Sequence, residues 1–246
     1  MGRYLFEGAF IPLFRSMFRL IYFALLLLPC LMVSAAGSGS DTISVYRAFV
    51  ALSDPGVTVL PIVSRQALAN AALSGSDDLT IAANGGQNVA ILPPYSDRYL
   101  RVAISSASEA TYKVLRRGKK EIVGVVYTVG DSATVRDSEL RFYDSRFRPI
   151  ALKKVMTPLC VEDFFDFTGV DKETRTSLTA MLPFMAVEYV FAPESDEMTA
   201  RLTAVEALPR EDQRRLAPYL RSPLRLVWDG GKYRRIDNSA FAPSGR

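Results

Sequence analysis

From residue 43 the apolar positions first recur at helical spacing. Val45, Phe49 and Leu52 fall at i, i+4 and i+7, and Asp54-Pro55-Gly56 stops the run. A second helix is expected over 61–73. Pro61 sits in its first turn, Ile62, Ala69 and Leu73 share a face, and Gly75 ends it. After Gly75 the period shifts towards two. Strands are predicted at 79–82, 88–92, 99–104, 111–115, 121–129 and 139–143, separated by turn signals at Asn84-Gly85-Gly86, Pro93-Pro94, 105–108 and Arg117-Gly118. Connections this short favour antiparallel pairing, because parallel neighbours need crossovers of a dozen or more residues. Alternation at 99–104 points to a sheet buried on one side, with Glu121 to Val129 as its central strand.

The second half repeats this order more loosely. Helices are expected at 161–167 and at 172–182, the latter with Asp171 as N-cap. Strands follow at 186–191 and 201–206, then a helix at 210–220 and a hairpin at 224–228 and 232–236. The pattern is therefore α+β: N-terminal helices followed by an antiparallel sheet, in a single domain over 43–238 with possible halves 43–155 and 156–238. Both halves close on an aromatic-Asp hairpin, Tyr143-Asp144 before Phe147 and Trp228-Asp229 before Tyr233. Two related lobes framing a cleft would produce this. So would the ordinary chemistry of hairpin closure, in which Asp bonds the turn and aromatics pair across strands, and that simpler origin is preferred. Residues 239–246 read as a flexible tail.

Ahead of the domain, residues 1–35 read as an export signal. Arg15 and Arg19 precede an apolar run at 20–33, and Val33, Ser34 and Ala35 supply small residues for cleavage. The arginines hold the run short of the length a spanning helix needs, so no stable membrane span is expected after cleavage. Met17 is an alternative start, and the surroundings of Cys30 do not resemble a lipobox. Residues 36–42 form a Gly/Ser-rich linker. Export changes the charge argument. Removing residues 1–36 takes away Arg3, Arg15, Arg19 and Glu7, so the net charge falls from +4 to about +2. No Lys/Arg stripe is apparent, and the densest run, Arg116-Arg117-Gly118-Lys119-Lys120, straddles a hairpin turn and reads as a solvated loop. Nucleic acid is not an expected partner.

Composition then narrows the chemistry. An apolar content of 49% with 11% aromatics excludes disorder over most of the chain. There is no histidine, which removes Ser-His-Asp and Cys-His catalysis and the usual zinc and copper ligand sets. Cys160, flanked by Leu159 and Val161, reads as a buried small apolar residue, so neither a disulfide within the exported chain nor a thiolate metal site is supported. No cofactor and no metal are expected. Asp131, Asp137 and Asp144 match no compact calcium loop. A Ser-Lys hydrolase built on Ser132 or Ser138 with Lys153-Lys154 has no motif behind it. The remaining catalytic candidates are Asp163 and Asp166, which at i, i+3 on a helix would project together as paired carboxylates. Phe164, Phe165 and Phe167 on the same segment favour the plainer reading, in which the acids are simply its wet face.

One resemblance spans nearly the whole exported part. Val126-Tyr127-Thr128-Val129, then Asp137-Ser138, the strand ending Phe142-Tyr143-Asp144, and Pro149 resemble the pattern of domain of unknown function 3256, an exported family of Bacteroidales bacteria. Arg65, Asp163-Phe164 and the closing Trp228-Asp229-Gly230-Gly231-Lys232-Tyr233 fit it too. Phe147 stands where the family would place Trp. The resemblance implies export and a single α+β domain, and it carries no catalytic residue. It implies structural roles for its motif residues: Asp144 for the turn, Tyr143 and Phe147 for cross-strand packing.

The expectation is thus an exported envelope protein, periplasmic or associated with the outer membrane, that binds or assembles rather than catalyses. Its partner would be an envelope protein, peptide or glycan, met by an aromatic-rich sheet face (Tyr95, Tyr99, Tyr112, Tyr127). The rivals are a carboxylate-based hydrolase of envelope glycan or peptide and an inhibitor of a secreted hydrolase.

Overall fold

The computed structural model describes residues 43–52, 60–83, 86–131 and 135–236. The export segment, the linker, the 54–56 stop, Asn84-Gly85, Ser132 and the tail lie outside the described residues. The unit from Asp41 onward closes on its own contacts. Its chain begins with two helices, α1 (Val45–Ala51) and α2 (Ile62–Leu73). Seven strands then form an antiparallel meander in chain order: β1 (Thr80–Ala82), β2 (Asn88–Ser96), β3 (Tyr99–Ser105), β4 (Ser108–Arg117), β5 (Lys120–Val129), β6 (Asp137–Tyr143) and β7 (Pro149–Ile150). Next come α3 (Lys172–Thr179), β8 (Val187–Phe191), β9 (Glu197–Leu202), α4 (Arg210–Leu216), β10 (Leu224–Trp228) and β11 (Tyr233–Ile236). The last four strands make a separate antiparallel sheet in the order β11-β10-β9-β8. The α+β class and the antiparallel pairing match the sequence reading. The two halves do not share a sheet, and in the second half α4 falls between β9 and β10, where the sequence places a helix.

The large sheet is buried on both faces. Leu100, Val102, Tyr112, Val114, Val123 and Val125 point to α1 and α2. Leu115, Ile122, Val126, Leu140 and Phe142 point the other way, into a core shared with β8–β11. Tyr99 and Tyr112 are therefore 4% and 0% exposed, and Tyr95 and Tyr127 pack at the edge of the helical core. The expected exposed aromatic face does not exist. Both faces of the sheet are covered, so its aromatics serve packing.

Three local expectations change for physical reasons. In α2, Ile62 and Leu73 are 52% and 59% exposed, and the buried face is Arg65, Leu68, Ala69 and Ala72. Apolar residues run almost all round this helix, and the position that decides its orientation is polar. Arg65 is buried and its Nη1 donates to the carbonyls of Phe49 (3.1 Å) and Leu52 (2.6 Å) at the end of α1, where a helix leaves acceptors unsatisfied. Pro93-Pro94 does not turn the chain. It lies inside β2, where the pairing register with β3 shifts between Leu92 and Ser96. The segment expected as a helix over 161–167 is a short 3-10 turn, Val161–Phe164, after which Phe165 is extended and bridges Leu220.

The two sheets meet at Gly124. A Cβ there would lie 2.7 Å from Cζ of Phe191 and 2.9 Å from Cε1 of Phe142, so both rings occupy the space that a side chain would need. Gly124→Ala should destabilise the protein by about 1–3 kcal/mol through overpacking. In that background Phe191→Leu should cost less than it does in the wild type, because the shorter side chain withdraws from the clash. Chemical denaturation of the four variants of this cycle measures both; additive costs would show that the rings do not fill the site.

Candidate functional site

The second half of the chain is tied to β11 before it becomes helical. After β7 a 3-10 turn (Leu152–Lys154) brings Val155 beside β11, and its carbonyl accepts from Tyr233 N at 2.7 Å. Met156 bridges Tyr233 in parallel. At the following turn Asp163 Oδ2 accepts from Cys160 N (2.8 Å) and from its thiol (3.3 Å). Oδ1 accepts from Arg235 Nη1 at 2.6 Å. Arg235 thus bolts the turn onto the far end of β11. The alternation of the segment is then clear: Phe164, Phe165 and Phe167 are buried, and the acids stay on the wet side.

Between this segment and β11 runs a cleft of about 560 Å³. Met156, Leu159, Leu226 and Tyr233 supply its apolar surface, and Asp163, Lys232, Arg234 and Arg235 its charged one. Arg234 is also ion-paired with Asp229, whereas Lys232 is exposed and has no acidic partner among the described residues. Tyr233 is only 4% exposed and meets Trp228 edge-on, with ring centroids 5.2 Å apart and planes at 63°.

The two candidate carboxylates do not act as a pair here. Asp163 lines the cleft; Asp166 is not among the lining residues and is ion-paired with Arg221 at 2.5 Å, while its Oδ1 accepts from Thr168 N at 3.0 Å. Loss of the helix after Phe164 removes the i, i+3 geometry that would have joined them. Their acidities point the same way. Partial burial works to raise the Asp163 carboxyl, but the Cys160 N–H and thiol and the Arg235 guanidinium outweigh it and hold the group below its ordinary value. Hydrogen bonds from Thr168 and Arg221 bring Asp166 down to about 2. A general acid at neutral pH needs the opposite shift. Cys160 is exposed rather than buried, because it occupies the cap of the 3-10 turn while Leu159 and Val161 pack inward. Partial desolvation of the sulfur and hydrogen bonding to Asp163 and Glu162 push its thiol up, away from the reactive thiolate.

The motif residues bond and pack within the chain itself. Asp144 Oδ1 accepts from the N–H groups of Arg146 (2.9 Å) and Arg148 (3.0 Å), and Asp229 Oδ1 from those of Gly231 (2.9 Å) and Lys232 (2.7 Å), so an Asp side chain closes both hairpins, the first turn being one residue longer. Tyr143 is buried against the helical core, and Phe147, at φ 58°, packs at its margin. Trp228 Nε1 donates to Arg116 O at 2.6 Å. Asp137 and Ser138 do something the sequence did not disclose. Asp137 Oδ1 accepts from Val187 N (3.1 Å) and Ser138 Oγ from Tyr189 N (3.2 Å), so two side chains of β6 satisfy the outer edge of β8. Ser138 Oγ also contacts Thr128 Oγ1 at 2.8 Å and makes no lysine contact. Among the described residues no group of three or more acidic or cysteine side chains is placed to hold a metal ion, and no helix is long and apolar enough to cross a membrane.

What emerges is an α+β domain with two antiparallel sheets and a cleft that is apolar on one side, charged on the other, and devoid of a poised acid–base pair. The chain belongs to the family described as protein of unknown function, DUF3256, whose profile matches residues 39–233. Comparison with curated proteins finds no match. The same fold occurs in a solved structure of a domain of an uncharacterized protein from Porphyromonas gingivalis W83. That likeness has a TM-score of 0.67 at 22% sequence identity and covers 79% of this chain and 99% of that one.

Sequence reasoning missed Met156, Thr157, Leu226 and the basic residues of β11 as a site. The run Lys232-Tyr233-Arg234-Arg235 was a usable signal, because three cations in four consecutive residues are more than solubility requires. Asp166 should titrate with a midpoint at about 2 and stay ionised at every pH above about 4. Because its folded value is depressed, its stabilising contacts are fully present above the unfolded value and lost as pH falls through the folded one. Carbon-detected NMR titration of the carboxyl groups reads this directly; a midpoint near 6 for Asp163 or Asp166 would restore a general-acid role.

Proposed function

We propose that the protein is an exported, non-catalytic binding module of the cell envelope and that the cleft along β11 is its recognition site. The observation that carries this reading is the cleft itself, an apolar floor faced by cations whose one acid is committed to Arg235. Such a surface holds a ligand by burial and charge, and its one carboxylate is already engaged. Export rests on the N-terminal sequence pattern and on the family resemblance. A peptide suits the cleft better than a glycan. Sugars are gripped by exposed ring faces, and Tyr233, the one aromatic residue among those lining the cleft, presents none. A segment with an apolar side chain beside a carboxylate would fill the floor and meet Lys232. The hydrolase reading finds no support in the geometry of Asp163 and Asp166.

The test is an array of peptides and envelope glycans probed with the wild type and three variants. Thr157→Trp, at the exposed rim, and Lys232→Glu should each weaken peptide capture by at least about 10-fold, the scale of one lost contact worth ~1.4 kcal/mol, without lowering the melting temperature. Asp166→Ala should bind like the wild type, and mass spectrometry should find every ligand unaltered. Turnover of any ligand that Asp163→Ala abolishes would replace this reading with the hydrolase.

A further inference from the structure

The basic hairpin that reads as a solvated loop in the sequence is not alone in space. Its turn, with Gly118 at φ 61°, rests on the β10–β11 turn through a bond from Gly118 N to Gly230 O of 3.2 Å. Arg117 Nη2 reaches Lys154 O at 3.2 Å, and Trp228 Nε1 is bonded to Arg116 O. These bonds gather three remote segments, 116–120, 153–154 and 232–235, at one end of the molecule. Arg116, Lys119, Lys120, Lys153, Lys154 and Lys232 are all exposed there, and none has an acidic partner among the described residues. The acids at this end are engaged: Asp229 with Arg234, and Glu121 with Arg98 at 2.7 Å. The exported chain is close to neutral, so this is a concentration of charge and not a reflection of the average.

The start of the domain lies at the same end. Ile43 N donates to Glu121 Oε2 at 2.7 Å, and Val45 N to Asp97 O at 3.1 Å, next to the β2–β3 turn. The first described residues of the domain, Ile43 to Val45, are therefore held beside the basic end.

We propose that this basic end docks on a membrane surface rich in anionic phospholipid headgroups. Solvated lysines on flexible stems act as point charges and match a diffuse layer of phosphate, whereas recognition of one particular anion is usually built from fixed, forked arginines. Each lysine near such a surface contributes enough to change partitioning by about 5-fold. The docking adds to the binding-module reading and stands without it. It uses lysines outside the cleft, and it orients the cleft, whose Lys232 borders the patch, close to the headgroups.

Sedimentation of residues 41–246, the unit that closes on its own contacts, with vesicles tests this. Vesicles of phosphatidylcholine alone should bind little. Vesicles containing phosphatidylglycerol should bind strongly at low salt and progressively less as salt screens the charges. The surface variant Lys119→Ala, Lys120→Ala, Lys153→Ala, Lys154→Ala should lose roughly 100-fold or more of that partitioning, and the matching Lys→Arg variant should keep it. Equal binding to neutral and anionic vesicles, or no binding to anionic vesicles at low salt, overturns the proposal. So does capture of acidic peptides or nucleic acid by these lysines when vesicles are not bound. Failure of the wild type to capture any peptide, with vesicle binding intact, would leave the docking standing and overturn only the binding-module reading.

Discussion

The structure depends on how closely two sheets approach at Gly124. Phe142 of β6 and Phe191 of β8 fill the space over that glycine, so the four-stranded sheet seats on the meander at one place and in one orientation. Two polar devices hold the same seam. Lys113 of β4 is buried there, lies 5.7 Å from the centroid of the Tyr99 ring, and donates to the carbonyls of Ala192 (3.0 Å) and Pro193 (2.9 Å) just past β8. Desolvation lowers its pKa, and the carbonyls, the ring and the nearby Asp196 compensate in part for taking a cation out of water. Asp137 and Ser138 close the edge of β8 with side-chain acceptors. The position of β11, three strands away, follows from this seam, and the cleft follows from β11.

Most of the local structure was legible because it is written in nearest-neighbour terms. The strands of the meander, the Asp171 cap and both Asp turns come from periodicity and side-chain hydrogen bonding within a few residues. What was not legible is long-range. Ser108–Arg117 is buried on both faces over much of its length, and a strand of that kind loses the alternation that would have told one face from the other. Nothing local to Arg65 says that it will turn inward to the end of α1, and nothing local to Asp137-Ser138 names β8. The family motif was visible as a pattern and structural in kind, but its partner lay some fifty residues away.

The same division applies to the site. Asp163 and Asp166 were read as the wet side of a phenylalanine-rich segment, and their environments agree with that, each being held by an arginine. The cleft and the basic end escaped notice because each is assembled from segments that no sequence window spans. Lys119-Lys120 and Lys153-Lys154 are unremarkable pairs until Arg117 reaches across to Lys154. Concentrating charge in this way leaves the average composition unchanged, so a net charge of about +2 carries no sign of it.

If the seam at Gly124 unites the two sheets, they should open as one cooperative unit. Native-state hydrogen exchange measures this without any ligand. Amides in β4 and β5 and those in β9 and β10 should share the largest opening free energy and respond identically to low denaturant. Earlier opening of β8–β11, with the meander still protected, would contradict the account, because the cleft would then rest on a sheet that the rest of the molecule does not hold in place.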